Sequence, residues 1–197
     1  MISTKTLGLV FQAGTSTNIR LIAYSDSDWA GELDKRRSTS GALVTINNCV
    51  IEWHSKLQPG APALSSAEAE YKAAADIARS ETEYIAGVKT AQGILHVKHL
   101  LGELGVPVRT PVMMVDNSAC IKVPKNPVYH GRMRHLELKY HFLRHHVNAG
   151  TLEIRKIDGK DNPADIFTKP LGRILFLRHR AKMIGECSCN PAQVCLD

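Results

Sequence analysis

Three short segments near the start of the chain contain runs of apolar residues and predict a β-meander. These segments span residues 20–25, 38–46 and 49–55. Between the second and third lies the pair Asn47-Asn48, and asparagine tolerates the left-handed backbone that a tight hairpin needs. We therefore expect three antiparallel strands in succession.

Helical spacing dominates the middle of the chain. Ser65 and Glu68 form a capping box, which predicts the start of a long helical region. This region extends, with interruptions, to about Leu104. Farther on, apolar residues recur at helical intervals over 135–148, and Gly150 is placed to end that second helix.

Two further strands complete the predicted sheet. The first covers residues 112–116 and leads into a short helix that ends before Pro124. The second covers residues 151–157 and is followed by a turn and a helix near Ala164. The order of elements predicts an α/β fold with a mixed five-stranded sheet, three antiparallel strands and then two more, flanked by helices.

Composition and charge narrow the class of protein. A chain of 197 residues with 44% hydrophobic residues can form one domain with a full core. Its net charge of +6 indicates a polyanionic partner. No apolar stretch reaches the ~20 residues of a membrane span, and no signal peptide is evident. Five cysteines, an odd number, do not suggest a disulfide framework, so we expect an intracellular protein that does not bind membranes.

Four acidic residues lie where the predicted elements can bring their carboxylates together. Asp26 closes the first apolar run, Glu70 lies on the alanine-rich helix, Asp116 ends the fourth strand, and Asp165 lies in the segment Asn-Pro-Ala-Asp. Carboxylates a few ångströms apart ionise together only when cations lie between them, and Mg²⁺ is bound by carboxylate oxygens. The set predicts metal-assisted phosphodiester cleavage.

Five segments are informative because of their order: YSDSDWAG at 24–31, SSAEAEY at 65–71, VDN at 115–117, RHLELKYHF at 134–142 and ADIFTKPL at 164–171. Together they resemble the ribonuclease H domain of Ty1/copia-type LTR retrotransposon polyproteins. Several motifs in the right order make a chance resemblance improbable.

The resemblance implies a ribonuclease H-like fold and a domain organisation. Residues 20–171 would form the ribonuclease H domain, and residues 1–19 would be the end of a connection from a reverse transcriptase domain. Residues 172–197 would be a basic, loosely ordered C-terminal extension. The expected partners are an RNA/DNA hybrid and the reverse transcriptase domain of the same polyprotein, and the resemblance does not define an oligomeric state.

The resemblance also implies the roles of the four carboxylates. Two Mg²⁺ ions, for which Mn²⁺ can substitute, would be held by Asp26, Glu70, Asp116 and Asp165, with Asp26 bridging both. The RNA strand of the hybrid would then be cleaved by hydrolysis. Asp28 would serve a turn instead, and Asp158 and Asp161 are nearby alternatives to Asp165.

The second carboxylate has two candidates. The sequence around Glu70-Tyr71 is echoed 13 residues later by Glu83-Tyr84, which places the two glutamates about 20 Å apart along one straight helix. Only one of them can reach the site. We favour Glu70, because it keeps the capping box and a short link to the third strand, and this choice leaves Glu83 as a solvated helix charge.

Other residues are candidates for contacts with nucleic acid. Basic residues cluster between His130 and Lys156. They favour contacts with phosphate groups, and the alternative is an ordinary solvated helix. The nucleic-acid-binding candidates from this region are Arg132, Arg134 and Lys139. The resemblance adds Lys56 and Gln58, which follow the third strand, and Asn117 of the VDN segment.

Two rival functions fit some of these features. A domesticated or decayed module would bind nucleic acid or protein without cleaving it, and the 13-residue echo is compatible with such decay. The second rival is a related nuclease or integrase of the same fold. Four carboxylates in these contexts favour a ribonuclease H over a three-carboxylate transposase.

Overall fold

The structure is a computed structural model and describes residues 7–11, 18–29, 31, 37–58, 68–117 and 137–186. We number the two 3₁₀ helices η1 and η2. In chain order the elements are β1 (Leu7–Gly8), β2 (Leu21–Asp28), β3 (Thr39–Ile46), β4 (Cys49–Leu57), α1 (Glu68–Glu103), β5 (Val112–Val115), α2 (Glu137–Asn148), β6 (Glu153–Lys156), η1 (Gly159–Asp161), η2 (Pro163–Phe167), α3 (Arg173–Met183) and β7 (Gly185–Glu186).

The five longer strands form one mixed sheet in the order β4-β3-β2-β5-β6. β2, β3 and β4 pair antiparallel, whereas β5 pairs parallel with β2 and with β6. Asn47 and Asn48 have φ angles of 49° and 71°, the left-handed backbone expected of a tight turn. The predicted meander and mixed α/β sheet are therefore confirmed.

Alternation along β2 divides its side chains between two environments. Leu21 and Ala23 are fully buried and belong to the main apolar cluster, which α1 completes with Tyr84, Val88 and other residues. The intervening positions face the opposite side of the sheet because successive residues of a strand point to opposite faces. That second side is the one that η2 covers, since η2 packs on β2 and β3.

Helix α1 is one continuous helix of 36 residues, so the predicted interruptions are absent. The capping-box residue Ser65 and the short helix predicted before Pro124 lie outside the described residues. Gly150 follows α2 with a φ of 66°, which confirms its predicted place at a helix end. None of the helices that the structure describes is both long and apolar enough to cross a membrane.

The C-terminal region differs from its prediction as a loosely ordered extension. Residues 173–183 form α3, which packs on η2, and β7 pairs antiparallel with β1. His179 of α3 has no exposed surface. The basic residues of this region suggested a solvated tail, but one face of α3 is covered by the fold. Residues 187–197 lie outside the described part.

Gly41 of β3 allows η2 to lie directly on the sheet. A Cβ atom at this position would be 2.7 Å from Cγ2 of Thr168 and 2.9 Å from the carbonyl oxygen of Ala164. Real Cβ atoms do not make contacts this short, so any larger residue would push η2 away from β3. The loop that contains Asp165 therefore depends on the absence of a side chain at residue 41.

We expect Gly41→Ala to destabilise the protein by about 1–3 kcal/mol, because the added methyl group overpacks this contact. Thermal unfolding followed by circular dichroism measures the effect. Gly102→Ala is the matched control: a methyl group added there, in α1, would meet no atom within 4 Å, and alanine should stabilise the helix by up to about 1 kcal/mol. Equal melting temperatures for Gly41→Ala and the wild type would contradict the role of this contact.

Candidate active site

The sheet register brings Asp26 and Asp116 side by side. Ser25 of β2 is the parallel partner of Val115 of β5, and each aspartate follows directly after one of these residues. Asp26 is 1% exposed and Asp116 is half-buried. A Cβ atom on Gly159 of η1 would lie 3.4 Å from Oδ2 of Asp116, so η1 closes over this carboxylate.

Asp165 reaches the same place from η2. Asn162 is fully buried, and its Nδ2 donates a 3.0 Å hydrogen bond to the carbonyl oxygen of Ser25 in β2. Its Oδ1 accepts from the backbone N–H of Ala164 at 3.2 Å and caps the start of η2. On the other side, Ser55 Oγ donates to the carbonyl oxygen of Phe167 at 2.5 Å. These bonds hold η2, and with it Asp165, against the sheet.

The three aspartates converge. One carboxylate oxygen from each of Asp26, Asp116 and Asp165 lies within 4.8 Å of the others, and no other group of three possible metal ligands occurs among the described residues. Asp165 is 4% exposed. The predicted meeting of these three carboxylates is therefore present in the fold.

Two neighbours of Asp165 in sequence contact the cluster. The hydroxyl of Thr168 donates a short hydrogen bond to Oδ2 of Asp26 and lies 3.1 Å from the carbonyl oxygen of Asp165. The Lys169 Nζ lies 3.0 Å from Oδ2 of Asp165 and 3.8 Å from Oδ2 of Asp26. One hydroxyl and one ammonium thus stabilise the carboxylates directly.

The proton affinity of Asp165 reflects its crowded position. Burial, followed by the neighbouring Asp26 carboxylate, raises the pKa of Asp165 from 3.8 to about 6, although Lys169 acts in the opposite direction. For Lys169, burial lowers the pKa, but the charges of Asp26 and Asp165 outweigh it and leave the pKa raised. The ammonium therefore stays charged, yet it does not fully offset the repulsion between the aspartates.

The donor set fits a hard divalent cation. Carboxylate oxygens are the ligands that Mg²⁺ and Mn²⁺ prefer. Oδ1 of Asp165 is buried and accepts no hydrogen bond from the described residues, which is costly for a carboxylate oxygen unless a cation binds it. Asp26, Asp116 and Asp165 could hold such an ion between them.

Glu83 of α1 is only 6% exposed. Its interpretation as a solvated helix charge was therefore wrong. Nε2 of Gln58 donates to the carbonyl oxygen of Thr82 at 3.1 Å and to Oγ of Ser40 at 2.6 Å. Ser40 is the partner of Ser27 in β2, one residue from Asp26. The turn of α1 that carries Glu83 therefore lies level with the aspartate cluster.

Glu70 belongs to the N-terminal part of the same helix. Since α1 is continuous, its backbone at residue 70 lies about 20 Å farther along the axis than at residue 83. The side chain of Glu70 lies outside the described residues, and its predicted role stays a prediction.

The predicted nucleic-acid contacts have different outcomes. Gln58 is 6% exposed and uses its amide to join β4 to α1, which is a packing role. Lys56 is exposed on β4 and Asn117 is half-buried beside Asp116. Arg132, Arg134 and the side chain of Lys139 lie outside the described residues, and contacts by these residues and by Lys56 and Asn117 stay predictions.

Sequence reasoning missed three residues that build the site: Asn162, Thr168 and Lys169. All three lie in or beside the NPADIFTKP segment, in which the sequence pattern indicated Asp165 alone. The hydrogen bonds of Asn162 and Thr168 with β2 connect residues more than a hundred positions apart. The segment was a signal for all three, but their individual contacts depend on the folded chain.

Comparison with known proteins identifies similar sequences. No family model matches the chain. It is 36% identical over 185 residues to the retrovirus-related Pol polyprotein from transposon RE2 of Arabidopsis thaliana. It is 37% identical over 186 residues to that from transposon RE1 of the same plant. Each alignment covers 94% of this chain but only 12% of the polyprotein.

The fold is also similar to that of a solved structure. LC11-RNase H1, isolated from compost by a metagenomic approach, superposes with a TM-score of 0.51. The superposition covers 76% of this chain and 92% of that chain, at 14% sequence identity. At this identity the similarity concerns the fold alone, and it agrees with the mixed sheet and flanking helices described above.

We expect Asp165→Asn to stabilise the metal-free protein at pH 7.5 by about 1–3 kcal/mol. The folded-state pKa of about 6 exceeds that of the unfolded chain, so the ionised carboxylate opposes folding above pH 6. Wild-type stability relative to the variant should fall as the pH rises from about 4 to 6, and the difference should vanish below about pH 4.

Thermal unfolding in EDTA across this pH range measures the difference. Asp161→Asn is the control, because Asp161 is exposed enough to pair with Arg178 at the surface and its loss should not stabilise the protein. A lower melting temperature of Asp165→Asn at pH 7.5 would show that the carboxylate is net stabilising, contrary to this expectation.

Proposed function

We propose that this chain, a homologue of part of the retrovirus-related Pol polyproteins of copia-type transposons with the ribonuclease H fold, is a Mg²⁺-dependent ribonuclease H. It would cleave the RNA strand of an RNA/DNA hybrid by hydrolysis. The observation that carries the proposal is the convergence of Asp26, Asp116 and Asp165 on one point of that fold.

The three aspartates are held by different elements of the fold. Asp26 is the central ligand candidate, because β2 places it beside Asp116, which follows β5, and it shares the Lys169 ammonium with Asp165 of η2. When two divalent ions are bound, they supply Lewis acidity that activates water and stabilises the leaving oxygen of a phosphodiester. The protein contributes rigid placement: β2 and β5 fix two of the ligands through backbone pairing, and Asn162 fixes the loop of the third.

We propose Glu83 as the fourth carboxylate, in place of the sequence-based preference for Glu70. Glu83 shares one side of α1 with Gly87, Thr90 and Ile94, which follow it at intervals of 4, 7 and 11 residues and are all buried. Its burial and its level beside Ser40 support a position facing the sheet near Asp26. Glu70 remains the alternative, and the activities of the Glu70→Gln and Glu83→Gln variants distinguish the two.

The partners follow from the polyprotein relatives. Because the chain spans 12% of the length of each, we propose that it acts beside the reverse transcriptase part of such a polyprotein during reverse transcription. An RNA/DNA hybrid is the substrate of that process. The net charge of +6 favours binding of this polyanion, and the exposed Lys56 is a candidate for phosphate contact.

We expect the purified chain to cleave the RNA strand of an end-labelled hybrid with Mg²⁺ or Mn²⁺, and not with EDTA. Asp26→Asn, Asp116→Asn and Asp165→Asn should each reduce the rate by at least about a hundredfold, since each removes a charge that holds the metal ions. Single-stranded RNA and duplex DNA of the same sequence are the substrate controls. Efficient cleavage of duplex DNA would favour a different nuclease of this fold.

Glu70→Gln and Glu83→Gln form a matched pair in the same assay. We expect Glu83→Gln to be as inactive as Asp26→Asn, whereas Glu70→Gln, about 20 Å farther along α1, keeps wild-type activity within about threefold. The reverse result would restore Glu70. Hybrid binding without cleavage by the wild type, unchanged in Asp26→Asn, would replace the proposed enzyme with a binding module.

A further inference from the structure

Lys169 supplies a positive charge from within the chain at the place where a metal ion would bind. Its Nζ is 3.0 Å from Oδ2 of Asp165 and 3.8 Å from Oδ2 of Asp26. Both carboxylates are almost fully buried, with side-chain exposures of 6% and 2%. The attraction is therefore screened less by water than in a surface ion pair.

The base of the Lys169 side chain is fixed by the fold, whereas the rest of it has access to solvent. The backbone N–H of Lys169 donates to the carbonyl oxygen of Asp165 at 3.2 Å. This bond holds the backbone of Lys169 close to the residue whose carboxylate its side chain contacts. The side chain itself is 37% exposed and consists of a flexible four-carbon stem. It can leave the carboxylates for solvent without any change in the backbone.

We propose that Lys169 is an internal counter-ion that occupies the cation position of the aspartate cluster and leaves it when a divalent metal ion binds. The proposal rests on the metal site proposed above. A metal ion bound through either oxygen of the Asp165 carboxylate would lie about 2 Å from that oxygen, and the Lys169 ammonium is only 3.0 Å from Oδ2 of the same carboxylate. Two cations this close repel strongly in a poorly screened site, so one excludes the other.

Two measurable consequences follow from this exclusion. Without the ammonium, the three aspartates repel one another more strongly, and the metal-free protein loses stability. Without the competitor, a divalent ion binds more tightly. Because Lys169 is partly exposed, we expect a change of about three- to tenfold in metal affinity, below the effect of a fully buried pair.

The test compares the wild type with Lys169→Met, which keeps the length of the side chain and removes its charge. We expect Lys169→Met to have a lower melting temperature in EDTA and a dissociation constant for Mn²⁺ about three- to tenfold lower by isothermal titration calorimetry. Lys169→Arg retains the charge and should behave like the wild type in both measurements. Lys160→Met is the matched control, because it removes the same charge from an exposed position on η1.

A measurement on the wild type does not depend on the folding of any variant. Reductive methylation, read by mass spectrometry, reports how accessible each lysine ammonium is. We expect methylation of Lys169 to be slow in EDTA and at least about threefold faster with Mn²⁺, whereas Lys160 should react at the same rate in both.

Equal or weaker Mn²⁺ binding by Lys169→Met, or methylation of Lys169 that does not respond to Mn²⁺, would overturn the proposal. Absence of Mn²⁺ binding in both proteins would overturn it together with the metal site. Tight Mn²⁺ binding that competes with Lys169, in a protein that does not cleave a hybrid, would instead support the counter-ion and refute the proposed enzymatic function.

Discussion

Repulsion among buried carboxylates is the constraint around which this structure is organised. Asp26 and Asp165 are 1% and 4% exposed, and together with Asp116 they bring their oxygens within 4.8 Å. Such an arrangement opposes folding unless it is held by other interactions. The backbone pairing of β2 with β5, the amide of Asn162 and the close contact of η2 with Gly41 supply that support.

The same constraint explains the polar groups around the cluster. Thr168 donates to Asp26 and Lys169 pairs with both Asp26 and Asp165, yet the pKa of Asp165 remains raised to about 6. The chain therefore compensates the negative charge only in part. A site that bound its own counter-ion completely would leave little affinity for a metal ion, whereas an uncompensated one would weaken the fold in the absence of metal.

Sequence patterns predicted those features that are local. Apolar runs marked β2, β3 and β4, and the ends of two such runs marked Asp26 and Asp116. In the structure β2 continues to Asp28, so Asp26 lies within the strand, whereas Asp116 directly follows β5. The contacts of Asn162 and Thr168 with β2 were not predictable, since they join segments whose approach depends on the whole sheet. For α3, the basic residues indicated a solvated tail, but this helix packs on η2 and His179 is buried.

The helix register separates two glutamates that a motif match alone does not distinguish. The copies of Glu-Tyr at 70 and 83 are equivalent in sequence, and only their distance from fixed contacts distinguishes them. The bond from Gln58 to the carbonyl oxygen of Thr82 fixes α1 against the end of β4, and a continuous helix then leaves no freedom to slide residue 70 to the same level, about 20 Å away. The copy that contains Glu70 keeps the capping box, whereas the copy that contains Glu83 lies against the sheet. The turn of α1 that Gln58 joins to Ser40 contains the buried Glu83, which is why we propose this residue rather than Glu70 as the fourth carboxylate.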